Sequence, residues 1–227
     1  MSADAHGLLK ALQHADSFFP SGATAFSWGV EALVADGCAN LRAQLNAVLL
    51  AQLEQRWSTF DRGVLVCAFD ADGDMRMLAQ IDAEVEAMLI PSELREGSRR
   101  AGASLLDVHQ RLGTRGAADY QSAIRAGLAL GHLPVVQGCV WRALGLKRIE
   151  AQTISAHAFC VSLLGAAVRL GAIGHIQSQR ALSAAQERVA ELLSQPVPAL
   201  DACYSFTPEL DIAAMRHETQ TARLFVN

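Results

Sequence analysis

The sequence AFSWG at residues 25–29 differs by one residue from the G-x-S-x-G motif that surrounds the nucleophile of many serine hydrolases. In those enzymes a strained turn between a strand and a helix lifts the serine hydroxyl towards an oxyanion hole, so a strand must precede the motif. Here the preceding residues, PSGAT at 20–24, have the composition of a loop. A small serine hydrolase that uses Ser27 is therefore one alternative, but the sequence favours a capping or packing role for this serine.

Residue types that bind metals are present, but their spacing does not fit the common sites. The histidines and cysteines form no H-x-x-x-H, H-E-x-x-H or C-x-x-C pattern, which are the usual spacings of zinc ligands. The sequence DADGD at residues 70–74 resembles the start of a calcium loop, but Ile81 occupies the place of the bidentate glutamate. We expect a solvated turn there. We also expect no catalytic residue, no cofactor and no metal held by this chain alone; a metal site shared between chains stays open.

Composition narrows the class of protein further. The chain of 227 residues is 51% hydrophobic and 19% charged, which excludes intrinsic disorder. Its net charge of −4 disfavours a nucleic-acid binder, because such proteins usually carry a basic excess. The five cysteines are widely spaced in apolar contexts and indicate reduced core thiols in a cytoplasmic protein. No signal peptide is recognisable, and the apolar stretch 153–168 predicts a buried helix and not a membrane span.

Apolar residues recur at steps of three and four along most of the chain, which predicts helices. We expect Ser92 to cap one of them, Gly131 to end another and Pro134 to open a third. The run VLVCAF at 64–69 is the only strand-like segment, and it fits a buried helix equally well. The predicted helices cover residues 41–60, 78–89, 92–112, 117–130, 135–144, 153–170 and, as the last one, 176–193.

These elements predict an all-α fold with a single multi-helix domain. Residues 153–170 are apolar on nearly every face, so this helix should be central and buried, with His157 as a core histidine. The domain is expected to span residues 1–207, followed by a C-terminal tail, 208–227, that docks partners. Four arginines on one helix are predicted to form a solvated face and not a binding patch: Arg95, Arg99, Arg100 and Arg111.

Three segments together resemble the urease accessory protein F family. The first is LQHADSFFPSGA at residues 12–23, which continues to Ser27, Gly29 and Glu31. The second is AAVRL at 166–170, and the third is the tail, MRHE at 215–218 followed by RLF at 223–225. Weaker matches lie between them, and the order and spacing agree over nearly the whole chain. Thr24 stands where the family usually has an aromatic residue.

The resemblance implies a non-enzymatic maturation factor that acts as a chaperone or scaffold. Members of that family are all-helical homodimers that bind accessory protein D (also called H) and then the nickel-carrying GTPase, accessory protein G. The assembly delivers nickel to apo-urease, so nickel and GTP are handled by the partner proteins. The resemblance implies neither a nucleic-acid partner nor a membrane partner.

Partner-binding residues are predicted at the positions of this sequence that match the motifs. They lie in the loop, at the end of the central helix, in the following helix and in the tail: Pro20, Ser21, Gly22, Thr24, Ser27, Glu31, Arg169, Gln179, Met215, His217, Glu218, Arg223, Leu224 and Phe225.

Two alternative functions remain in addition to the serine hydrolase. The protein could regulate the accessory GTPase as an activator, with an arginine supplied in trans to neutralise charge on the transferring phosphoryl group. Arg223 and the Arg99-Arg100 pair are the candidates for that arginine. The other reading is a helical interaction module without a link to urease.

Overall fold

Helices make up all the regular structure that can be described. The computed structural model describes residues 2–21, 29–31 and 41–217, and these contain no strand, so the prediction of an all-α fold is confirmed. A π-helical segment, Leu53–Asp61, joins α2 to α3 without a break, and a 3₁₀ turn, Leu200–Ala202, precedes the last helix. The α-helices are α1 (Ser2–Ala15), α2 (Leu41–Gln52), α3 (Arg62–Asp70), α4 (Met75–Met88), α5 (Ser92–Arg111), α6 (Ala117–Arg125), α7 (Leu133–Ala143), α8 (Arg148–Arg169), α9 (His175–Ser194) and α10 (Pro208–His217).

The strand-like run at residues 64–69 is the buried helix α3, which packs closely against α7. The approach is close because α7 presents Gly138 to α3. A Cβ at Gly138 would collide with the carbonyl oxygen of Leu65 and would lie 2.7 Å from the Cβ of Ala68. The absence of a side chain at this position therefore permits the helix pair that forms the centre of the first apolar cluster.

Helix α8 links the two apolar clusters of the protein. Its first part, with Ala151 and Ile154, packs in a cluster with α3, α4, α5 and α7. Its later residues, including Phe159 and Leu163, pack in a second cluster with α2, the π-helical segment and α9. This confirms the predicted central helix. α8 is long and apolar enough to cross a membrane, but 67% of its most apolar window is buried inside the protein, as in a core helix.

Several predicted boundaries are wrong by a few residues. Pro91 occupies the cap position of α5, and Ser92 is its first helical residue. α6 ends at Arg125, before Gly127, and does not reach Gly131; both glycines have positive φ, so the chain turns twice there. Pro134 does open α7, as predicted.

The helix α9 is not the last helix. Within the predicted tail, residues 208–217 form α10, which packs against α5 and buries Leu210, Ala213 and Ala214. The remainder of the predicted tail, residues 218–227, lies outside the described part of the chain.

Candidate functional site

The first half of the candidate site is a contact between the N-terminal loop and α10. Gly29 has φ +82°, and a Cβ built on it would lie 2.9 Å from the carbonyl oxygen of Leu210. The next residue, Val30, is fully buried among residues of α2, α8 and α9, and Glu31 is only 7% exposed. The structure therefore brings two of the predicted partner-binding segments, the loop and the tail, into direct contact.

An extended segment at residues 203–207 leads into α10 along the π-helical segment. The backbone N–H of Tyr204 donates to Thr59 O at 3.1 Å, and that of Phe206 donates to Gln55 O at 2.9 Å. Cys203 and Thr207 are buried, whereas the side chains of Tyr204 and Phe206 are exposed. Backbone hydrogen bonds thus fix a segment whose two aromatic side chains face solvent.

Helix α10, which follows this segment, also carries exposed apolar side chains. Ile212 and Met215 are 49% and 43% exposed, although the opposite face of the helix is buried. Together with Tyr204 and Phe206 they form what we call the tail surface, defined by these four side chains. Exposed apolar side chains concentrated in one short stretch of a folded chain are typical of a protein interaction site.

Arg169 and Gln179 meet in a separate groove between the end of α8 and the start of α9. The groove has a volume of about 430 Å³, and its other lining residues include Val168, His175 and Leu182. Arg169 donates from Nε to the carbonyl oxygen of Gly165 at 3.3 Å. The two residues predicted to bind partners thus line one groove, and their role in binding stays a prediction.

The described residues include only part of the predicted site. Pro20 is exposed, Ser21 is half-buried, and His217 is the last residue of α10. Seven predicted residues lie outside the described part of the chain: Gly22, Thr24, Ser27, Glu218, Arg223, Leu224 and Phe225.

The candidate chemical motifs have structural explanations where they can be described. In the acidic turn, Asp70 pairs with Arg148, Asp72 pairs with Arg142 at 2.8 Å, and Asp74 caps α4. No group of three metal-ligating side chains occurs among the described residues. The serine-hydrolase alternative needs a sheet beneath the serine, and residues 2–21, 29–31 and 41–217 provide no strand.

The histidine and arginine predictions had different outcomes. His157 is half-buried and not a full core residue, and this burial lowers its pKa. The prediction of a solvated arginine face fits Arg100 and Arg111, which are exposed and pair with Glu96 and Asp107. Arg95 and Arg99 are half-buried instead, and both pair with Glu86.

Sequence reasoning missed Tyr204, Phe206 and Ile212. A signal was present, because residues 203–207 alternate between buried and exposed positions with a period of two, as in an extended segment. Five residues are too few for that alternation to stand out beside the helical patterns. The acceptors on the π-helical segment have no recognisable signal in the sequence.

Comparison with known proteins places the chain in a family. A family model described as UreF matches residues 40–186, which is more than half of the chain. A urease accessory protein UreF from Arthrobacter sp. (strain FB24) is 33% identical over 223 residues, covering 96% of each protein. The urease accessory protein UreF from Trichodesmium erythraeum (strain IMS101) is 30% identical, and the match covers 100% of each protein. The UreF protein from Actinobacillus pleuropneumoniae serotype 5b is 31% identical, and the match covers 97% of this chain and 100% of the relative. From its helical architecture and these matches over the full length, the chain belongs to the UreF family of urease accessory proteins.

Proposed function

We propose that this chain is a non-catalytic urease maturation factor that binds accessory protein D/H and the GTPase accessory protein G. By holding these partners together it would assist the insertion of nickel into apo-urease, while nickel and GTP are bound by the partners. The observation that supports a docking role is the tail surface, whose four exposed apolar side chains lie on α10, the helix that contacts the loop, and on the segment before it. We expect this protein to act in the cytoplasm.

The tail surface is the proposed site for accessory protein D/H. Its apolar side chains are exposed on elements that are themselves fixed, through the backbone bonds of residues 204 and 206 and the buried face of α10. A partner that covers these side chains gains apolar burial without having to order the segment.

A matched pair of substitutions tests this assignment. Met215→Asp places a charge on the tail surface, and Met77→Asp makes the same change on α4, where the methionine is 48% exposed compared with 43% for Met215. After co-expression with accessory proteins D and G and affinity capture of this chain, we expect Met215→Asp to lose D at least about tenfold, since one buried charge removes more than 1.4 kcal/mol. Met77→Asp should retain it. Equal capture by both variants would exclude the tail surface as the site.

The contact between loop and tail provides a second test. Gly29→Ala forces a Cβ towards Leu210 at a position with positive φ, so it should displace the loop from α10. We expect reduced capture of D together with a loss of stability, because Gly29 is buried and precedes Val30 of the second cluster. Normal capture by a folded Gly29→Ala protein would mean that the partner does not depend on the loop–tail contact.

We also propose that the protein forms a homodimer, and we assign its interface to the exposed face of α1. Leu8, Leu9 and Leu12 are 58%, 64% and 58% exposed, and Leu8 and Leu12 border a groove between α1 and α8 together with Ile149. A second copy could cover such a stripe by presenting the same one in return. Leu9→Asp combined with Leu12→Asp should give a monomer in size-exclusion chromatography with light scattering, whereas the control Leu112→Asp, at a similarly exposed leucine directly after α5, should not. A dimer that survives the double change would refute this assignment.

Control of the accessory GTPase remains the alternative role. Of its candidate arginines, Arg99 and Arg100 pair with glutamates, and Arg223 lies outside the described residues. Multiple-turnover GTP hydrolysis by accessory protein G should be unchanged by this protein if it is a scaffold. Acceleration that Arg223→Ala abolishes would establish an activator instead.

A further inference from the structure

Two imidazole rings and one phenyl ring meet where the end of α1 lies against the end of α5. The rings of His14 and His109 stack with centroids 5.2 Å apart and an interplanar angle of 10°. The ring of Phe19 lies 4.6 Å from that of His14 and 5.6 Å from that of His109. We call these three residues the imidazole cluster. His109 is fully buried and Phe19 is 9% exposed, whereas the adjacent Phe18 is 92% exposed.

The hydrogen bonds of the cluster favour neutral rings. His14 Nδ1 lies 2.7 Å from the carbonyl oxygen of Lys10, which can only accept, so this nitrogen carries the proton. His109 Nδ1 lies 3.0 Å from Thr114 Oγ1. Both Nε2 atoms are buried and have no hydrogen-bond partner within the described part of the chain. Protonation would create a buried cation with an unpaired N–H, and a second proton would add repulsion between the stacked rings.

The surrounding charges do not offset this cost. On α1, the charge that acts on His14 is the positive one of Lys10, which opposes protonation. On α5, the nearest charged residues in the sequence are the half-buried Asp107 and the exposed Arg111, and they pair with each other at 2.9 Å.

The neighbouring segments add no compensating carboxylate. In the segment after α1, the Asp16 carboxylate accepts from the N–H of Phe18 at 2.9 Å. On α8, which packs against α1, Glu150 lies beside Gly7, two turns before His14, and accepts from the N–H of Lys147 at 2.7 Å. Arg115, in the turn after α5, is exposed and positive.

We propose that the imidazole cluster is a pH-sensitive latch that holds residues 16–21 against α5 while both rings are neutral and releases them in mild acid. The segment leads directly into the loop that carries Gly22, Thr24 and Ser27. Release would therefore loosen the base of the predicted docking loop and weaken partner binding. This second consequence rests on the proposed function, whereas the latch itself does not.

The direction of the pH dependence follows from burial. Burial lowers the pKa of His14, and burial and the neighbouring His14 lower that of His109 to about 4 from the ordinary value of 6.5. The closed latch is therefore favoured above pH 6.5 and loses stability as the pH falls from 6.5 towards 4. For His109 alone, these two values predict that the opening constant increases about 20-fold between pH ~7 and pH ~5. Titration of His14 acts in the same direction.

Hydrogen exchange of the full-length protein tests the latch directly. The N–H groups of Phe18, Phe19 and Ser21 are bonded within the segment. A turn of six residues is not stable in isolation, so these bonds should lose protection when the segment leaves α5. After correction for the intrinsic pH dependence of exchange, we expect their protection to fall about 20-fold from pH ~7 to pH ~5. Amides in α8 should keep their protection. If protection of the segment does not change with pH, or if α8 loses protection to the same extent, the proposal is overturned.

Two further measurements prevent an ambiguous result. In His109→Phe the ring stack is kept but this ring cannot be protonated, so the roughly 20-fold share of the pH response that His109 contributes should disappear and only the share of His14 should remain. His6→Gln removes an exposed histidine of α1 and should leave the wild-type pH response unchanged. If His109→Phe does not fold, NMR titration of the histidine rings in the wild-type protein decides the question. Ordinary pKa values for His14 and His109 would refute the latch.

Capture of accessory protein D at the same pH values tests the link to docking. We expect wild-type capture to weaken towards pH ~5 and the His109→Phe protein to show a smaller pH dependence, because only His14 still titrates. Opening without any change in capture would refute the link between latch and docking. Absence of capture at every pH would contradict the proposed function instead, and the latch would then be judged by exchange alone.

Discussion

Asp82 supports the turn that leads into α7, and Asp82→Asn should be strongly destabilising. The residue lies on α4 and is fully buried. Its Oδ2 accepts hydrogen bonds from Tyr120 OH at 2.7 Å, from Leu130 N at 3.0 Å and from Gly131 N at 2.8 Å. Its Oδ1 accepts from His132 N at 2.9 Å. One carboxylate thus satisfies three backbone donors of a turn that has no regular secondary structure, and the hydroxyl of Tyr120 on α6.

The size of this loss of stability follows from the hydrogen bonds that an asparagine amide can still accept. An asparagine can direct its oxygen at the three donors near Oδ2, but its NH₂ group then faces the N–H of His132. That buried donor loses its acceptor, which costs about 1–3 kcal/mol, and three charge-assisted bonds become neutral ones, each weaker by about 1 kcal/mol. Allowing for relaxation, we expect a loss of about 3–5 kcal/mol, which is a large part of a typical domain's stability.

Urea unfolding followed by circular dichroism measures this loss, and the melting temperature should fall by about 10 °C. Asp119→Asn is the matched control, because Asp119 is exposed on α6 and the substitution should change stability by less than about 0.5 kcal/mol. Tyr120→Phe removes only one of the four donors and should cost about 1–2 kcal/mol. A loss below about 1 kcal/mol for Asp82→Asn would show that the four bonds do not hold the turn as argued.

Three further outcomes are expected. Arg62→Met should lower the free energy of unfolding, measured in urea, by about 2–4 kcal/mol, because the guanidinium donates to carbonyl oxygens at the end of α9. The control Arg180→Met, on the exposed face of that helix, should leave stability nearly unchanged. Gly138→Ala should destabilise by more than about 2 kcal/mol, since the backbones of α3 and α7 must separate; a melting temperature equal to wild type would contradict the close approach. Cys139 and Cys160 should resist alkylation in the native protein at pH ~8 and react after unfolding, because burial raises their pKa values to about 11 and about 12.

The periodic apolar pattern was sufficient to predict the helices that have one buried face. The stripe from residue 41 to residue 60 and the central position of α8 could be predicted because each depends on local periodicity and on the number of apolar faces. The π-helical geometry within that first stripe could not be predicted. It adds acceptors at Gln55 and Thr59 that are used by a segment about 150 residues further along the chain.

Helix ends were predicted less well, for a similar reason. α6 ends before Gly127, and the following turn is held by the distant carboxylate of Asp82, so local glycine spacing alone could not select the end. α10 has a weak pattern of its own, and it is stabilised by burial of Leu210, Ala213 and Ala214. Tertiary packing decided whether that segment was helix or irregular tail.

The sequence by itself determined the helical class, the central helix and the family, because these depend on residue order and on periodicities within one element. The tertiary structure decided which segments meet: Gly29 with Leu210, the aromatic segment with the π-helical segment, and His14 with His109. These contacts join residues that are far apart in the chain, and each depends on backbone approach or on burial of a polar atom. Such terms arise only when the surrounding helices have packed, so no local pattern in the chain records them.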